Sequence, residues 1–202
     1  MGDAASDQAE SSRSAQREVD DGQPWPAVIA LSGLPFAGKS TLVRALAAQL
    51  GATPIEVDQL VEGREALPSG PIPDWLWLAA YCRAEALVRA ELTAGRRVVY
   101  DGVNFRWVQR EKLRRIAAEF GQRVVVVHVA TQIAANLARQ EANRIRPTRS
   151  AVDAETFAMV EGRFEPPRPG EWAVTYDGSE SFASWFGRIT TTLVELASDR
   201  PE

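Results

Sequence analysis

One cysteine and one histidine occur in 202 residues. A single cysteine excludes an internal disulfide and any cysteine-based metal cluster, and a single histidine cannot build a multi-histidine metal site. No apolar run approaches the roughly 20 residues needed to cross a bilayer as a helix. The N-terminus lacks the basic stretch followed by an apolar one that marks a secretory signal. Together these absences make the cytoplasm the expected location. Positive charge is not in excess either: the formal net charge is −4 and the pI is near 5.2. That argues against long nucleic acid as the main partner, because phosphate neutralisation dominates such binding. Lysine is scarce, with only Lys39 and Lys112 against 21 arginines.

What remains is 45% hydrophobic and 25% charged, enough for one α/β domain with a core of its own. Residues 1–24 have small and acidic side chains and few core formers. A disordered tail is expected there, and one domain over residues 25–202. Five short apolar runs read as buried strands, at 27–32, 54–58, 97–101, 123–129 and 172–176. Residues 124–127 are all valine, as expected of a parallel strand covered on both faces. Helices are expected at 39–50, 74–94, 105–120, 131–142, from 153 onward, and 179–197. Asp74, Asn104 and Thr131 are candidate N-caps, and Gly95 and Gly121 candidate stops. Strand alternating with helix means a parallel sheet with helices on both faces.

Between the first strand and the first helix lies Gly33-Leu34-Pro35-Phe36-Ala37-Gly38-Lys39-Ser40-Thr41. Gly-x-x-x-x-Gly-Lys-Ser in this context is a loop for the phosphates of a nucleoside triphosphate. Gly33 and Gly38 permit backbone angles and close approach that a side chain forbids. The loop's N–H groups wrap the phosphates, with the positive end of the helix behind them. Lys39 reaches the β and γ oxygens, the Ser40 hydroxyl ligates Mg²⁺, and Thr41 is expected to bond a further phosphate. A chain that otherwise prefers arginine uses lysine here, where a compact ammonium on a flexible stem suits a tight cradle.

Two aspartates end strands, Asp58 and Asp101. Ligands of open parallel sheets bind beyond the carboxyl ends of the strands, so both face the crevice of the phosphate loop. Phosphoryl transfer needs an acidic group near the metal and another that positions the attacking hydroxyl. Asp101 suits the metal side, through water, and Asp58 the acceptor side; the alternative for each is a cap or turn residue. Arg139, Arg144, Arg146 and Arg149 lie in the 138–150 segment. Arg139 and Arg144 are the candidates for a lid that stabilises the transferring phosphoryl charge, the alternative being a solvated helix face. Trp75, Trp77 and Tyr81 lie near the expected acceptor site, either lining a pocket or sealing the helix against the sheet. His128 is expected to be structural, and Cys82 a small buried hydrophobe.

Gly33–Thr41, Val57-Asp58, the run from Val99 to Asn104, the 137–149 segment and Arg163-Phe164-Glu165-Pro166-Pro167 occur in that order. The pattern resembles the P-loop kinases related to polynucleotide 5′-hydroxyl kinase and, more distantly, zeta-toxin and chloramphenicol phosphotransferases, with ATP-binding domains of AAA type. The resemblance implies a P-loop NTPase three-layer sandwich with five parallel strands in the order 2-3-1-4-5 and a short arginine-bearing lid. It implies ATP and Mg²⁺ as cofactors and phosphorylation of a hydroxyl, with Asp58 as the base and Arg139 or Arg144 in the lid. Polynucleotide kinases carry an arginine three residues after the base; here that residue is Val61, and the nearest arginine is Arg64. The expected acceptor is therefore a small molecule such as a sugar, nucleoside or antibiotic. The rival readings are a polynucleotide 5′-hydroxyl kinase and a nucleotide switch without an acceptor. A GTPase is disfavoured because Asn-Lys-x-Asp is absent.

Overall fold

The computed structural model describes residues 25–62, 72–102, 104–146 and 152–198. The expected tail, Arg64 and Arg149 lie outside them. The run Val-Ile-Ala-Leu-Ser-Gly forms β1 (Val28–Gly33), buried at every position and central in the sheet. It leads through the phosphate loop to α1 (Lys39–Leu50), then β2 (Thr53–Glu56) and a one-turn 3-10 helix (Val57–Leu60). The long helix α2 (Asp74–Thr93), β3 (Val98–Asp101), α3 (Trp107–Ala118) and β4 (Val124–Val129) follow. The chain continues through α4 (Ile133–Ile145), α5 (Ala154–Gly162), β5 (Ala173–Tyr176) and α6 (Phe182–Ser198). The five strands are parallel in the order β2-β3-β1-β4-β5, the P-loop NTPase order.

Alternating side chains divide the core in two. Val28, Ala30, Val98, Tyr100, Val124 and Val126 face α2 and α3. Ile29, Leu31, Val99, Val125 and Val127 face α1 and α6. Burial of each such branched side chain stabilises the fold by about 1.5–3 kcal/mol, so both faces of the sheet need a helical layer. Trp185 docks α6: it is 1% exposed, and its indole N–H donates to the Thr175 carbonyl at 2.7 Å.

Several expectations are corrected. Asp58 is not a strand residue; β2 ends at Glu56, and Asp58 sits in the 3-10 turn. Asp74 is the first residue of α2, and the cap position is Pro73. Asn104 does not cap α3, because its side chain is drawn inward to the Leu31 carbonyl; the cap position is Arg106. Thr131 donates to Asn136 and the cap position of α4 is Gln132. α6 begins at Phe182 rather than 179. Cys82 is exposed, since α2 turns Leu76, Ala80, Ala84, Val88 and Leu92 inward instead. The helix expected from 153 onward starts at Ala154, with Asp153 as its cap, accepting from the Thr156 N–H at 2.6 Å. Gly95 follows α2 with φ 70°, as a stop position requires.

Candidate active site

Because the sheet is parallel, the ends of β1, β3 and β2 open on one edge, and Glu56 is in register with Asp101. The phosphate loop leaves β1 at Gly33. A Cβ on Gly33 would stand 2.7 Å from the Val129 carbonyl oxygen, so only glycine fits against β4 there. Gly38, at φ 95°, begins α1. That helix has no side-chain cap and no acidic residue in its first turn, so the positive end of the helix meets no negative charge of its own and suits an anion. Phe36 is buried with φ 60°, an uncommon angle for a bulky residue.

Lys39 Nζ donates to the carbonyls of Gly33 and Leu34 at 3.1 and 3.0 Å. Ser40 donates its hydroxyl to Asp101 Oδ2 at 3.0 Å. Leu34 and Pro35 are half-buried, Ala37 is buried, and Thr41 is exposed. Burial pushes the Asp101 carboxyl above its ordinary pKa; Lys39 and the Ser40 hydroxyl pull it down, and the charges of Asp58 and Glu56 push it up again. Two oxygen donors in contact, one a carboxylate resisting its own charge, suit a hard divalent cation such as Mg²⁺. Asp58 is exposed.

On the other side, Arg139 of α4 donates from Nη1 to the Phe36 carbonyl at 3.1 Å, so α4 leans on the phosphate loop. Arg144 is exposed and holds Glu141 through two contacts at 2.8 and 2.7 Å. Arg146 ends α4. Trp77 and Tyr81 pack together against the core, their ring centres 6.3 Å apart, whereas Trp75 is 66% exposed. Val61 is buried in the same core. His128 stacks on Phe164 at 5.5 Å, and burial, then the charge of Arg110, lowers its pKa.

Behind the site lies a group that the sequence reading missed. Arg110 is fully exposure-free and bonds Glu171 together with three main-chain carbonyls. The signal was present: Arg110 stands in line with Leu113, Ile116 and Ala117 on the buried face of its helix. A charge on an apolar face needs a buried partner, but that partner lies 61 residues away.

Residues 28–167 match the AAA domain family. The chain belongs to that family. Its fold is also that of solved P-loop kinases. A sugar kinase from Janibacter sp. HTCC2649 superposes with a TM-score of 0.63 at 15% identity, over 88% of this chain and 99% of that one. A gluconokinase from Sinorhizobium meliloti 1021 gives 0.59 at 21% identity, over 87% and 96%. Kti12 from Chaetomium thermophilum, in complex with ADP-AlF3, gives 0.64 at 19% identity, over 86% and 98%. No curated protein matches this sequence.

Proposed function

We propose that this AAA-family protein is a kinase that moves the terminal phosphoryl group of ATP onto a hydroxyl of a small molecule. The observation that carries the reading is the Ser40–Asp101 contact at the foot of the phosphate loop, with Asp58 just beyond the strand whose end is in register with Asp101. The loop N–H groups and Lys39 hold the β and γ phosphates. Ser40, and Asp101 through water, would hold Mg²⁺, which would neutralise charge on the phosphate oxygens. Asp58 accepts the proton of the acceptor hydroxyl. The acceptor oxygen bonds to the γ phosphorus as the bond to the β–γ bridging oxygen breaks, and ADP leaves with that electron pair. Arg139, already against the loop, supplies positive charge to the equatorial oxygens. Arg144, five residues further along α4 and paired with Glu141, is the second candidate for that lid.

Two features favour a compact acceptor over a polynucleotide. Val61, where the resemblance places a phosphate-gripping arginine, is 7% exposed and part of the core. The net charge of −4 does not attract a polyanion. The sugar-kinase and gluconokinase relatives in fold support sugars and sugar acids as the first acceptors to try.

The test is transfer of labelled γ-phosphate to a panel of sugars, sugar acids, nucleosides and aminoglycosides, with a 5′-hydroxyl oligonucleotide as the rival acceptor. Asp58→Asn should lower transfer by roughly 10²–10⁴-fold while ATP binding persists. Full turnover in that variant removes Asp58 from the base role. Labelling of the oligonucleotide alone overturns the small-molecule reading.

A further inference from the structure

Arg110 makes more contacts than a buried charge needs. Its Nε and Nη2 bond the two carboxylate oxygens of Glu171 at 2.7 and 3.2 Å, and Glu171 is itself buried. That pairing alone neutralises the guanidinium. Nη1 also donates to the carbonyls of Asn104 and Glu165, each at 3.0 Å, and Nη2 to the carbonyl of Pro166 at 3.2 Å. The planar fork of arginine can serve all of these at once; the ammonium of lysine cannot.

The carbonyls come from two stretches far apart in sequence. Glu165 and Pro166 follow α5. Asn104 follows Asp101, and it is gripped from a second direction. The Ser32 hydroxyl donates to the same Asn104 carbonyl at 2.7 Å, and the Asn104 side chain donates to the Leu31 carbonyl at 2.9 Å. Leu31 and Ser32 are the last residues of β1 before Gly33. Asn104 is thus pinned between the root of the phosphate loop and Arg110, three residues beyond the carboxylate that receives the Ser40 hydroxyl.

We propose that Arg110 is a positioning residue: by holding Asn104 it keeps Asp101 in register with Ser40, and it ties that register to the segment after α5. The proposal rests on the reading of Asp101 as the metal-side carboxylate. Metal sites depend on such outer partners, whose loss weakens the metal rather than the rest of the ligand.

The experiment uses the full chain, Mg²⁺ and a fluorescent ATP analogue, so it needs no acceptor. Arg110→Lys keeps a positive charge beside Glu171 and gives up the carbonyls. The expected result is a Mg²⁺ half-saturation raised about tenfold, with analogue affinity without Mg²⁺ changed less than about twofold. In an Asp101→Asn background the same substitution should add nothing, because the group it positions is already gone. A folded Arg110→Lys protein with unchanged Mg²⁺ half-saturation overturns the proposal, whatever its melting temperature. If Arg110→Lys does not fold, the neutral double variant Arg110→Gln/Glu171→Gln removes the fork without stranding a buried charge. It should raise the Mg²⁺ requirement, and a normal requirement there overturns the proposal. Metal-dependent binding without transfer to any acceptor would end the kinase reading and leave this test standing. Wild-type binding indifferent to Mg²⁺ would end both.

Discussion

Asp101 and Gly33 occupy positions where chemistry and packing leave little choice. A carboxyl whose pKa is higher in the fold than in the unfolded chain favours the protonated fold. Its cost is absent below the unfolded pKa and fully present once pH rises through the folded one. Asp101→Asn should therefore stabilise the nucleotide-free protein at pH 7–8 relative to wild type. That advantage should vanish in melting curves taken at acidic pH, and Mg²⁺-dependent nucleotide binding should weaken. At Gly33 the neighbour is a backbone carbonyl of the adjacent strand, which cannot move aside. Gly33→Ala should cost roughly 1–3 kcal/mol and weaken nucleotide binding; chemical denaturation and a binding titration check both. The sequence announces the phosphate loop because its chemistry is local. It sets Arg110 on an apolar helix face but does not announce Glu171 as its partner, since the pairing exists only once α3 and the segment before β5 have met. Asn104 shows the same limit, since a residue type that often caps helices is claimed here by β1.

Helices and strands were legible within a few residues because the central strands of a parallel sheet are covered on both faces and so run apolar, as residues 124–127 do. The caps were not, because Asp, Asn and Thr side chains serve equally well in turns and in tertiary contacts. Thr131, for instance, bonds Asn136 inside the first turn of its own helix. Another contact joins elements. Glu91, near the end of α2, accepts the Thr53 hydroxyl of β2 at 2.6 Å and two bonds from Arg96 at 2.7 Å. The Arg96 bonds first, then Thr53, hold its carboxyl at about 2, below the ordinary 4.5. A depressed carboxyl stabilises above its unfolded pKa and loses that contribution as pH falls through the folded one. Glu91→Gln should lower stability at pH 7 by on the order of 1 kcal/mol. The gap between variant and wild type should close as pH falls from about 4.5 towards 2.

Across the whole molecule, the phosphate loop touches both structural layers: β1 is the central strand, and α1 belongs to one of the two cores. Ligand binding at that joint should report on global unfolding. Mg²⁺ with a non-hydrolysable ATP analogue at 100 times its Kd should stabilise the fold by about 2.7 kcal/mol, read as a raised melting temperature. Lys39→Ala should lose most of that shift while keeping a similar melting temperature without ligand. The global arrangement followed from alternation and from the resemblance. The acceptor side did not, because exposed Trp75, half-buried Trp77 and buried Val61 could not be sorted by residue type alone.

Lys39, held against its loop by two carbonyls, also makes the protein an occupancy reporter. The chain has two lysine amines. Lys112 stands at the surface beside Glu85, 60% exposed, and the other sits where phosphate would lie. Acylation by an amine-reactive reagent, read by mass spectrometry, would give an invariant adduct at Lys112 beside that at the terminal amine. Another, at Lys39, would fade as the nucleotide site fills, turning a scarcity of lysine into a count of bound sites.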